Sequence, residues 1–73
     1  MHIFHSRVKE LREERGLTQA QLSKEINFAS NHISQWETGQ KRTSFEGLCA
    51  LAKFFDVTID YLLGIEDQFG NKV

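Results

Sequence analysis

Apolar residues recur along this chain at intervals of three and four, and each run stops at a residue that tolerates a left-handed backbone. Phe4, Val8 and Leu11 form the first stripe and predict a helix from about Phe4 to Arg15. Leu22 and Ile26 predict a second, opening after Thr18, whose hydroxyl suits an N-cap. Ile33 and Trp36 point inward from a third, about Ser30 to Thr38. A fourth opens on Thr43-Ser44-Phe45-Glu46, a capping-box pattern, and carries the stripe Phe45, Leu48, Cys49, Ala52 and Phe55. Thr58 caps a short fifth helix bearing Ile59, Leu62 and Leu63. Just beyond these segments stand Gly16, Asn27, Gly39, Asp56 and Gly64. Gly, and less readily Asn and Asp, accept the left-handed conformation that commonly closes a helix. No alternating stretch has the β-branched and aromatic enrichment of a strand. The expectation is an all-α domain of five helices over residues 1–64, followed by a tail, 65–73.

Composition narrows the class more than the function. At 73 residues the chain makes one domain, and a chain this short buries only about 60% of its unfolded surface, so the core must be compact. Hydrophobic residues at 40% and charged residues at 26% are ordinary for a globular protein. A single cysteine rules out an internal disulfide and fits a reducing cytoplasm. The N-terminus lacks the apolar run of a signal peptide, and no apolar run approaches the ~20 residues that span a bilayer. The net charge of −1 weighs against a nucleic-acid binder. Its distribution softens that: residues 1–42 hold seven Lys/Arg against five Asp/Glu, whereas residues 43–73 hold two against five.

The chemistry concentrates in the second and third helices. Residues 19–38 read as two short helices joined by a tight turn, with small polar side chains on the second. That is the layout of a helix-turn-helix, which seats its second helix in the major groove of DNA. Ser23 suits the close approach of the two helices. Asn27 suits a turn residue with positive φ, Phe28 drops into the core, and Ile33 and Trp36 pin the second helix. Ser30, Asn31 and Gln35 are the expected base readers: Asn31 and Gln35 stand one turn apart, and Asn and Gln pair bidentately with adenine. Their bland alternative is a solvated polar face. His32 meets either a phosphate or solvent. Lys41 and Arg42 follow the third helix and suit a phosphate clamp, with a solvated loop charge as the alternative. Trp36 reads as core, and Cys49 as a small core residue.

The stretches RVKELREERGLTQAQLS, ISQWETG and LAKFFDVTIDYLLG carry a resemblance. Residues 7–64, about four fifths of the chain, resemble the lambda-repressor-like domain of the Cro/CI (Xre) family of bacterial and phage regulators. The resemblance implies a five-helix fold with the recognition helix third, and a homodimer on a two-fold symmetric double-stranded DNA operator, in most cases as a repressor. It implies that Ser30, Asn31 and Gln35 fall at base-contacting positions. It implies also that Gln19, first residue of the second helix, bonds a phosphate, where free N–H groups favour anions. Arg12 and Glu37 match a charged pair linking the first helix to the end of the third. Four positions depart from the pattern. Asn27 and Asp56 stand where Gly is frequent, Thr43 where Pro is frequent, and Ala29 where a capping Ser or Thr is common, leaving the third helix to Ser30 or to water for its cap.

Other classes fare worse. No Gly-rich phosphate loop, no nucleophile with a base and no carboxylate pair among apolar residues points to an enzyme, and no cofactor is expected. His2 and His5 are two ligands without Cys or a placed carboxylate, a weak metal signal, and an exposed terminus is the simpler reading. The serious rival is a protein-interaction module, such as an antitoxin of this fold, which would bind a protein partner. Dimerisation is expected through Tyr61, Leu62, Ile65 and Phe69 near the C-terminus. No membrane role is expected, and the expected location is the cytoplasm.

Overall fold

The computed structural model describes residues 2–65, with side chains from Phe4 onward. Among the described residues there are five helices and no strand. They are α1 (His2–Glu14), α2 (Gln19–Ile26), α3 (Ser30–Thr38), α4 (Phe45–Phe55) and α5 (Ile59–Leu63). The first starts two residues before Phe4 and ends one before Arg15; the N-cap of the fourth is also displaced. Gly16, Asn27, Gly39, Asp56 and Gly64 all have positive φ, from 56° to 84°. For Asn27 and Asp56 that conformation costs on the order of 1 kcal/mol, which only a firmly held chain reversal offsets.

The capping box lies at α2 and not at α4. Thr18 Oγ1 accepts the Gln21 N–H at 3.1 Å, and Gln21 Oε1 accepts the Thr18 N–H at 2.8 Å. At α4 the cap is Ser44, whose Oγ accepts the Gly47 N–H at 3.0 Å. Thr43 stands one residue too early, and its hydroxyl donates to the Ser44 carbonyl at 3.2 Å.

Helix α1 packs on α3 and α5, α2 on α3 and α4, and α4 on α5. The shared core is Phe4, Val8, Leu22, Ile26, Ile33, Trp36, Leu51, Ala52, Phe55 and Leu62. Leu11, Phe28 and Leu48 pack against it while keeping some exposure. The α4 stripe is therefore rotated from the expected one. Phe45 is 72% exposed, Cys49 is only half-buried, and Leu51, absent from the expected stripe, is fully buried. Gly47 sets the phase. A Cβ there would come within 2.8 Å of the Trp36 ring and 2.3 Å of Thr43 Oγ1, so only glycine lets α4 approach the tryptophan.

Arg7 of α1 and Arg15, one residue beyond its end, tie the C-terminal half down. Arg7 Nη1 donates to the Tyr61 carbonyl, with the guanidinium 4.1 Å from the Tyr61 ring centroid. Arg15 Nη2 donates to the Phe55 carbonyl at 3.1 Å, at the last residue of α4. A cation there complements the negative end of the helix dipole.

Candidate nucleic-acid interface

The turn between α2 and α3 is compact because Ser23 fits a close approach. Ser23 is buried, and its Oγ donates to the Ala20 carbonyl at 2.7 Å. Its own carbonyl accepts the N–H groups of Asn27 and, at 2.9 Å, Phe28. Asn27 supplies the left-handed residue (φ 61°), and Phe28 then meets Trp36 edge-on at 5.4 Å. Ala29 is the N-cap of α3 by its extended backbone, yet no side chain bonds the first turn. The departure seen in the sequence is thus a bare helix start.

Ile33, Trp36 and Glu37 are the buried residues of α3. At 100° per residue the opposite face carries Asn31, Ser34, Gln35 and Thr38. Asn31 is exposed, and Gln35 keeps part of its surface open. Ser34 and Thr38 share this face but were not among the expected readers; their spacing from Asn31 and Gln35 carried the signal. The Thr38 hydroxyl turns back onto its own helix, donating to the carbonyls of Ser34 and Gln35 at 3.0 and 3.3 Å. Ser30 is exposed at the helix start, to one side of this face.

His32 is exposed, and its ring stacks on Trp36 (centroids 6.1 Å apart, 16° between planes) and meets Phe28 edge-on at 6.0 Å. Trp36 is 4% exposed and occupied by these partners, so it belongs to the core. Beside the outer face runs a surface groove of about 320 Å³. Asn31, His32 and Gln35 line it from α3, Lys41, Arg42 and Ser44 line it from the loop and cap that follow, and Phe28 and Trp36 form its floor. Lys41 and Arg42 are both exposed. The groove thus joins amide side chains able to pair with base edges to cations able to meet phosphates.

A buried charged cluster fixes this unit to α1. Glu37 Oε2 accepts Arg12 Nε at 2.6 Å, and Glu37 Oε1 accepts Arg12 Nη2 at 3.0 Å. The side chains are 12% and 3% exposed. Gln19 Nε2 donates to the same Oε1 at 3.1 Å, and Arg12 Nη1 donates to the Leu17 carbonyl at 2.8 Å. Hydrogen bonding to Glu37, against the opposing effect of burial, raises the Arg12 pKa above its ordinary value. No buried side-chain nitrogen or oxygen among the described residues lacks a partner.

Other expectations need correcting. His5 is not an exposed terminal residue: it is half-buried against the α3 cap, where a Cβ on Gly39 would lie 3.2 Å from His5 Nδ1. The side chain of His2 lies outside the described ones. Among the described residues no three His, Cys, Asp or Glu side chains gather as metal ligands, and no helix is long and apolar enough to cross a membrane. Leu62 is fully buried in the core and offers nothing to a second copy. Tyr61 is half-buried under Arg7, Ile65 is 48% exposed, and Phe69 lies outside the described residues.

Comparison with known proteins agrees with this geometry. The helix-turn-helix family profile matches residues 8–62. The HTH-type transcriptional activator BcrR of Enterococcus faecalis is 39% identical over 64 residues, covering 88% of this chain and 31% of that protein. The chain spans from 31% to 63% of the length of the first curated relatives it matches. The P22 c2 repressor, solved in complex with a synthetic operator, superposes with a TM-score of 0.81 at 32% identity, over 85% of this chain and 94% of that one. The N-terminal DNA-binding domain of SinR from Bacillus subtilis shares the fold, with a TM-score of 0.82 at 23% identity over 93% of this chain and 97% of that one. With its turn, recognition helix and core in place, the chain belongs to the helix-turn-helix family, among the Cro/CI (Xre)-type transcriptional regulators.

Proposed function

We propose that this chain binds double-stranded operator DNA as a homodimer, with one α3 in the major groove of each half-site, and represses transcription. The observation that carries the reading is the groove beside α3, where Asn31 and Gln35 meet Lys41 and Arg42. Asn31 and Gln35 read base edges from the groove, and Ser30 does so from the helix start beside it. Gln19, His32, Lys41 and Arg42 meet the backbone, and Arg12 with Glu37 holds the frame. In this reading repression acts through occupancy of the operator, and the place of action is the cytoplasm. The P22 c2 repressor on its operator supports the DNA reading. Residues 1–64 act as the DNA-binding unit.

Dimerisation is part of this proposal because one small domain makes few base contacts, while two half-sites one helical turn apart (~34 Å) double them. Among the described residues, Ile65 is the exposed large apolar residue at the C-terminal end available to it. A protein partner is the second reading, favoured by PlcR of Bacillus thuringiensis, 30% identical and solved with a peptide, PapR7, as well as DNA.

Selection from a random duplex library decides between them. Enrichment of a two-fold symmetric motif is expected, with Lys41→Ala and Arg42→Ala each lowering the salt slope by about 1. Failure to enrich any sequence at low salt would sink the DNA reading and leave the protein-interaction module.

A further inference from the structure

We propose that Glu37 is a positioning residue for DNA binding: its buried carboxylate holds the Gln19 amide in the orientation that meets a DNA phosphate. This rests on the reading of Gln19 as a backbone contact and adds how that contact is prepared.

The chemistry of the donors fixes the orientation. An ionised carboxylate only accepts hydrogen bonds, so Gln19 must turn its NH₂ toward Glu37, not its carbonyl. One N–H lies on Glu37 Oε1 at 3.1 Å. The second N–H of that nitrogen remains for an acceptor outside, at the first position of α2, where the first-turn N–H groups also favour an anion. The carboxylate cannot drift. Arg12 grips both its oxygens, at 2.6 and 3.0 Å, while its remaining Nη1 is anchored on the Leu17 carbonyl, two residues before Gln19. Arg12 therefore braces the entry to α2 and the end of α3 together. A glutamine held in this way before DNA arrives loses less freedom on binding than a solvated one.

Glu37→Gln tests the idea with little change in shape. The new amide has one acceptor oxygen where the carboxylate has two, so its NH₂ opposes an Arg12 N–H in either orientation. The grip that fixes the acceptor is lost, and Gln19 can turn its carbonyl inward. The expected result is a roughly tenfold loss of affinity, the scale of one charge-assisted hydrogen bond, equal on operator and random duplex because a phosphate contact carries no sequence information. The salt slope should stay as in the parent, because a neutral amide releases no counterion. Gln19→Ala should cost the same roughly tenfold in the parent but under about twofold in the Glu37→Gln background.

Should Glu37→Gln melt at the assay temperature, the Arg12→Met/Glu37→Leu pair replaces the ion pair with apolar groups and takes its place in the cycle. Equal losses from Gln19→Ala in both backgrounds would overturn the positioning role. A silent Gln19→Ala in the parent, with operator binding intact, would remove the Gln19 contact itself and this inference with it.

Discussion

Along α3, Ile33, Trp36 and Glu37 face inward, and each is committed to the rest of the fold: the first two to the core, the third to Arg12 and Gln19. Asn31 and Gln35 face outward, and neither is needed to fill the core. The difference separates two tasks on nine residues. The inner face fixes where the helix stands, and the outer face decides what it touches. Substitutions on the two faces should therefore move different measurements. An inner change lowers stability and weakens binding to every duplex, whereas an outer change leaves stability alone and alters the ranking of sequences.

The sharpest way to break this division is Trp36→Ala. Trp36 lies over Gly47, stacks with His32 and meets Phe28, so its loss leaves a cavity among these residues. A loss of ~3–5 kcal/mol is expected, a large part of the stability of a domain this small. Thermal melting followed by circular dichroism measures it. A change under about 1 kcal/mol would mean that the inner face does not hold the helix.

The next effect is on the outer face. Asn31→Ala or Gln35→Ala should weaken binding to the selected operator by ~1–3 kcal/mol, with much smaller losses on random duplex. Melting should stay within about 0.5 kcal/mol of the parent, since exposed polar positions contribute little to packing. Equal losses on operator and random DNA would show that these amides do not read bases.

The inner and outer faces also differ in how far the sequence disclosed them. Ile33 and Trp36 were legible from their spacing, and all five helix ends from residues that accept a left-handed backbone. Helix α4 was harder because Phe45, Leu48, Cys49, Leu51, Ala52, Phe54 and Phe55 leave it apolar nearly all round, so periodicity could not fix its phase. The phase came from Gly47 yielding to the Trp36 ring, a contact between distant residues. Arg7 and Arg15 have as partners backbone carbonyls 54 and 40 residues away, which no local pattern reveals. Leu62 was drawn to the surface by its place near the C-terminus, although its spacing from Ile59 suited the core. On the outer face the amides stood out by chemistry, while Ser34 did not, because a small hydroxyl carries little signal without the helix geometry. The Gln19–Glu37 contact depended on three helices meeting at one carboxylate.

The smallest predicted effect sharpens the comparison at the point where the two faces begin. Helix α2 starts on the reciprocal Thr18–Gln21 pair, whereas α3 starts on Ala29 with no side-chain bond to its first turn. Ala29 already has the extended backbone of an N-cap, so Ala29→Ser needs no rearrangement for its hydroxyl to accept a first-turn N–H. A gain of about 1 kcal/mol is expected, or a rise of roughly 4–8 °C in Tm. That gain belongs to the helix and not to its readers, so the order of preference among duplex sequences should stay as it was. If Ala29→Ser raises Tm but reorders those preferences, the helix start helps to aim Ser30 and Asn31, and the separation of holding from reading fails at the first turn of α3.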